Sequence, residues 1–139
     1  MKKLTLLVLT LSLLASCKKD KNCNKDMAGV SGSYKVTAVT YKSTPTGTEQ
    51  DYYSTFYTDA CEKDDIITLN SNGTYVFTDA GVKCVPSGDD TGTWNVSGNN
   101  ITIDGQTEQI ESFDCSRLVI LEVDVNIAGD RLKIVLTRQ

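Results

Sequence analysis

The acids and the thiols are the first residues to weigh, because the 139-residue chain has no histidine. An imidazole base, a Ser-His pair and a His metal ligand are therefore excluded. The acids fall as two adjacent pairs, Asp64-Asp65 and Asp89-Asp90. Neighbours along a strand point to opposite faces, so adjacency does not make a catalytic dyad. Solvated turn charges are the plain reading. A calcium site built from Asp59, Glu62, Asp64, Asp89 and Asp90 is the sharper one, since Ca²⁺ takes six to eight oxygens. No EF-hand spacing supports it. Serines are common, but none from residue 31 onward sits in a Ser-x-x-Lys arrangement that would supply a base. The chain is therefore read as non-enzymatic, with no cofactor and no metal. A hydrolase working through its acids is the weakest alternative.

The chain carries five cysteines, and the first has its own context. Met1-Lys2-Lys3 is a basic start, and residues 4–14 (LTLLVLTLSLL) are apolar. A spanning helix needs about 18 or more such residues, so this segment reads as a signal peptide and not as an anchor. It ends in Leu14-Ala15-Ser16-Cys17, which resembles the lipobox of bacterial lipoproteins. That resemblance implies cleavage before Cys17, a diacylglyceryl thioether on its thiol and acylation (palmitate or similar) of its new amino group. Several acyl chains on one residue give stable membrane attachment. Lys18, where an Asp would favour the inner membrane, points to the outer membrane of a Gram-negative bacterium. Residues 17–30 are rich in Lys, Asn and Asp and read as a lipidated, solvated tether. Losing Lys2 and Lys3 with the leader takes the net charge from −4 to −6. An acidic body argues against nucleic acid, whose phosphates need a Lys/Arg face.

The elements that must position the remaining residues are strands. From residue 31 onward, short period-2 alternation recurs between turn residues. It is seen in Tyr34-Lys35-Val36-Thr37-Ala38, Ile67-Thr68-Leu69, Tyr75-Val76-Phe77, Trp94-Asn95-Val96, Ile101-Thr102-Ile103, residues 119–125 and Leu132-Lys133-Ile134-Val135-Leu136. Such spacing predicts an all-β sandwich or barrel for residues 31–139. Three strands open alike, at Gly32-Ser33-Tyr34, Gly73-Thr74-Tyr75 and Gly92-Thr93-Trp94. In each, a turn glycine is expected to precede an inward aromatic. Opposing Leu69 to Tyr75 and Ile67 to Phe77 gives a hairpin with Ser71-Asn72-Gly73 as its loop. Such loops want Gly at the left-handed position. Extending that register sets Cys61 opposite Lys83, next to Cys84, so Cys61 and Cys84 are expected to pair. Cys23 and Cys115 remain, as a staple between tether and domain. The absence of any CxxC spacing or His argues against a metal site of four thiols.

These residues resemble the lipocalin-like domains of small bacterial lipoproteins. The resemblance rests on Gly32-Ser33-Tyr34-Lys35-Val36, on Cys61-Glu62-Lys63-Asp64-Asp65 leading into Ile66-Ile67-Thr68-Leu69, on Asn72-Gly73-Thr74-Tyr75, and on Gly92-Thr93-Trp94. It implies an up-and-down antiparallel barrel of about eight strands, wide enough for side chains or one small ligand. It also implies that Tyr34 takes the place of a first-strand Trp and that Arg138 packs across it at the barrel end. Two functions follow. One is a lipid-anchored module holding a small apolar ligand against Tyr34, Val36, Tyr75, Phe77 and Trp94. The other is a filled barrel that acts on a protein partner through its loops. Tyr52, Tyr53, Phe56 and Tyr57 are the densest aromatic run, placed to act as a lid or a recognition surface. Replacing the lipidation residue, Cys17→Ser, is expected to move the protein from the membrane pellet to the soluble fraction. Retention in the pellet refutes the lipobox reading.

Overall fold

The structure, a computed structural model, describes residues 23–139. The leader, Cys17 and the first part of the tether lie outside the described residues. Alternating Val, Ile, Thr and aromatic residues form nine antiparallel strands. These are β1 (Gly32–Lys42), β2 (Gln50–Asp51), β3 (Ile66–Leu69), β4 (Thr74–Thr78) and β5 (Asp90–Ser97), then β6 (Asn100–Ile103), β7 (Gln106–Phe113), β8 (Arg117–Val123) and β9 (Arg131–Arg138). Two single-turn helices, α1 (Met27–Val30) and α2 (Tyr53–Phe56), and a 3₁₀ turn at Ala60–Glu62 complete the elements of the described residues. From β3 to β9 each strand pairs with the next in sequence, and β1 pairs with both β3 and β9. Eight strands thus form a closed ring, and the two-residue β2 is an outside addition to β1.

The hairpin register is the one the sequence predicts: Leu69 faces Tyr75 and Ile67 faces Phe77. Gly73 has φ +87° and supplies the left-handed step that closes the loop. Further on, Asp104-Gly105, both at positive φ, make the tight turn between β6 and β7. Gly92 departs from the turn role expected of it. It lies inside β5 opposite Tyr75, where a Cβ would come within 2.5 Å of the Tyr75 ring and 2.3 Å of Asp104 Oδ1. Its bare Cα makes room for the Tyr75 hydroxyl to donate to Asp104 Oδ2 at 2.6 Å. That bond is the main cause holding the phenol up to about 12.

Bulges bend the ring. The β1–β9 register shifts between Val36 and Ala38, and the β7–β8 register between Ile110 and Ser112. After the first bulge the buried face of β1 moves from Tyr34 and Val36 to Val39. Simple alternation would have carried it to Ala38. One extra residue on one strand bends it and increases its twist, as closure of a small barrel requires.

One end of the ring is closed. Tyr34, fully buried, donates to the Val30 carbonyl at 2.6 Å and accepts from Arg138 Nη2 at 2.7 Å. The same Nη2 donates to the carbonyls of Gly29 and Ser31 at 2.8 and 2.9 Å. The guanidinium carbon lies 5.3 Å from the Tyr34 ring centre and 5.7 Å from that of Phe113. The segment read as tether therefore ends differently from a solvated linker. Met27–Val30 packs beneath the barrel, with Val30 fully buried. Just before it, Cys23 is joined to Cys115 in the turn between β7 and β8.

Two buried aspartates shape the loops at the other end. Asp130 accepts from the Tyr41 hydroxyl and from the amides of Val125, Asn126 and Ile127. Burial alone would raise its carboxyl, but these four donors together hold it below the usual range. Asp79 organises the loop of residues 79–89 in a similar way, accepting from the amides of Cys84 and Gly88. The Cys61–Cys84 disulfide pins this loop to the 3₁₀ turn. The β3–β4 ladder itself stops at Ile66 and Thr78, so the pairing is made by loops and not by continued strands.

The Tyr34→Phe change keeps the ring but leaves the Val30 carbonyl and Arg138 each short of a partner. It is expected to lower unfolding free energy by about 1–3 kcal/mol, measured by urea titration. An unchanged midpoint would mean that the hydroxyl does not tie α1 to the barrel.

Candidate functional site

The inward faces of the strands do not meet at the centre of the ring. They enclose a cavity of about 510 Å³, lined by Val36, Ile67, Ile101, Ile103, Ile120, Ile134 and Leu136, with Tyr57, Gln106, Glu108 and Glu122 toward the open end. This volume falls within the range of small-molecule sites. Its lining follows from strand alternation. Leu118, Ile120 and Glu122 share the inward face of β8, and Ile134 and Leu136 stand beside Ile120 and Leu118 on β9. On the other side, Ile101 pairs with Glu108 and Ile103 with Gln106. Leu118 and Tyr34, both fully buried, lie below and form the floor.

The residues expected to line a ligand site are dispersed. Val36 does line the cavity. Tyr34 lies under it and is engaged by Arg138. Trp94 is 3% exposed and donates its indole N–H to the Asn70 carbonyl at 2.8 Å, which places it in the packed core. Tyr75 and Phe77 line an adjoining hollow of about 390 Å³ that shares Ile67 and Ile103 with the main cavity.

The aromatic run divides as well. Tyr52 packs on Tyr41 at 5.2 Å and Tyr53 stacks on Tyr57 at 5.1 Å. The Tyr52 amide donates to the Val39 carbonyl and the Tyr53 hydroxyl to that of Val36. These carbonyls lie on the stretch of β1 between its short pairings with β3 and β2, so the run seals a gap in the wall. Tyr57 contributes to the cavity lining, and Phe56 is left 54% exposed. The loops of the same end also expose Val82, Val85, Val125 and Ile127.

The acids weighed as a calcium site have other work. Asp59 and Glu62 cap the 3₁₀ turn. Asp64 accepts from the Val82 amide and Asp65 from that of Ala80. Asp89 accepts from the Asp79 amide. Among the described residues no three acids or cysteines are grouped to hold a metal ion.

Sequence reading missed Glu108 and Glu122. The signal was there: each occupies an inward position in an alternating run, next to Ile110 and Ile120 respectively. The β7–β8 pairs Gln109–Leu121 and Ile110–Ile120, continued by one residue, set Glu108 across from Glu122. Burial raises both carboxyls, and the charge of Glu122 raises Glu108 further. A carboxyl with a raised folded-state pKa favours folding fully below its unfolded value near 4.3, and this contribution is lost as pH rises through the folded value. Glu108→Gln/Glu122→Gln is therefore expected to be more stable than the parent at neutral pH, by up to about 1 kcal/mol. The advantage should vanish below about pH 4. Thermal melts across that range check it, and a destabilised variant at neutral pH contradicts the repulsion.

Comparison with known families agrees with this geometry. No curated protein and no solved structure matches the chain. The profile of the lipocalin-like domain matches residues 30–124, from the end of α1 to just past β8. With a closed antiparallel ring, an end sealed by Arg138 and that match over most of its length, the chain belongs to the lipocalin-like domain family.

Proposed function

We propose that the protein is a non-enzymatic carrier, anchored in the outer membrane through lipid on Cys17, that holds one small, largely apolar molecule inside its barrel. The observation that carries this reading is the 510 Å³ cavity walled by five isoleucines, Val36 and Leu136. A barrel acting only through its outer loops has no need of such a space, since empty apolar volume weakens packing. The apolar residues exposed around the open end support entry there.

The staple bears on orientation. Cys23 is fixed to Cys115 at the closed end, so only residues 18–22 separate that point from the lipidated Cys17. Fully extended, they reach roughly 20 Å. The closed end is held near the bilayer and the open end is turned away from it. The ligand then arrives from the aqueous side and not from the anchoring leaflet.

An uncharged, polarity-sensitive dye such as phenylnaphthylamine tests the reading. The protein is expected to bind it saturably with a rise in fluorescence. Ile120→Trp, which fills the cavity from β8, should abolish the rise while the protein stays folded by circular dichroism. Dye binding that survives Ile120→Trp unchanged, or no binding to the parent, refutes carriage in this cavity.

A further inference from the structure

The carboxylates of Glu108 and Glu122 are out of place in an apolar wall. They stand across from each other on neighbouring strands, where directly opposed Cβ atoms are about 4.5–5.5 Å apart and like charges repel. Neither has a hydrogen bond or ion pair among the described residues. The neighbours given by the register supply no counter-charge: Ile101 faces Glu108, and Leu132 faces Glu122. Arg131 and Lys133, which flank Leu132 on β9, lie together on the outer face with Glu49 and Glu111, Lys133 pairing with them at 2.9 and 3.2 Å. Two half-buried acids thus share the cavity without a partner among the described residues.

Two kinds of partner would relieve them. A bare metal ion wants six or more oxygens in the case of Ca²⁺, and the cavity offers side-chain oxygens from Gln106, Glu108, Glu122 and Tyr57 beside a wall of hydrocarbon. The remaining volume is apolar and needs an apolar occupant. One molecule satisfies both halves if it joins a hydrocarbon body to a cationic head. An ammonium group has three donors, enough to bridge two carboxylates, and a desolvated charge-assisted pair is stronger than a neutral hydrogen bond.

We propose that the cavity selects cationic amphiphiles, seating a protonated amine between Glu108 and Glu122 and its hydrocarbon body among Ile67, Ile103, Ile120 and Ile134. This rests on the carrier reading and adds the charge and end-group of the ligand. Tyr57 lines the cavity at the same end, and an aromatic ring favours a nearby cation. The raised carboxyls fit this arrangement, because an ammonium placed between them favours their ionised forms. Binding should therefore draw both carboxyls back down from their raised positions.

The test is competition against bound phenylnaphthylamine by decylamine, decanol and decanoate, which share one chain and differ in head group. At pH 7 the amine is protonated and the acid ionised. Decylamine is expected to displace the dye at a concentration at least about tenfold lower than decanol, with decanoate weakest. In Glu108→Gln/Glu122→Gln the amine should lose that advantage, while decanol stays within about twofold of its parent value. Decanol displacing as well as decylamine from the parent overturns the amine proposal and leaves carriage standing. An amine preference that survives the double substitution also overturns it, since the head is then held elsewhere. Failure of the dye and of all three competitors removes carriage, and the amine proposal with it.

Discussion

The structure depends on β1 being paired along both edges. β9 runs beside it from Tyr34 to Lys42, and this pairing turns a meander of hairpins into a ring. On its other edge β1 has partners only at its ends, β3 at Gly32–Tyr34 and β2 at Thr40 and Tyr41. The stretch between would expose carbonyls to the interior wall. Tyr52 and Tyr53 supply the missing donors to Val39 and Val36. The aromatic run therefore closes the sheet with one backbone amide and one side-chain hydroxyl, since a buried carbonyl without a donor is costly. Interior volume follows from closure, because inward faces held apart by the ring cannot collapse onto each other.

The two ends are built by different chemistry. At the closed end one guanidinium gathers three acceptors beneath Tyr34 and locks α1 in place. At the open end, Asp79 and Asp130 do the reverse, each gathering backbone amides. A buried carboxylate is tolerated when several donors converge on it. These two fix the loops around the mouth without filling it. Glu108 and Glu122 differ from them in kind: they are partly buried, inward and without donors among the described residues, which is why they point to a ligand and not to a scaffold role.

Much of the fold was legible. Alternation gave the strands, and the opposition of Leu69 to Tyr75 gave a register that the structure repeats. Both disulfides are those expected from the sequence. The Cys61–Cys84 bond is nevertheless formed by a 3₁₀ turn and a loop organised around Asp79, geometry that strand arithmetic does not contain. The site was less legible. Aromatic content drew attention to Tyr75, Phe77 and Trp94, but Trp94 fills the packed core and the other two line the adjoining hollow. The cavity lies where β-branched isoleucines leave room. Which half of a strand faces it depends on bulges at Thr37 and Glu111, where the register slips. A single extra residue exchanges inward for outward, and no local pattern announces it.

The account stands on an apolar space inside the ring, and xenon probes that space without presupposing a ligand. Methyl spectra of isoleucine-labelled protein under rising xenon pressure report each side chain separately. An apolar cavity admits the gas, so Ile67, Ile103, Ile120 and Ile134 should shift saturably, while Ile127, exposed on a loop, stays in place. Isoleucine signals that all move slightly and linearly, with no saturation at those four, would mean a collapsed interior and would contradict the account.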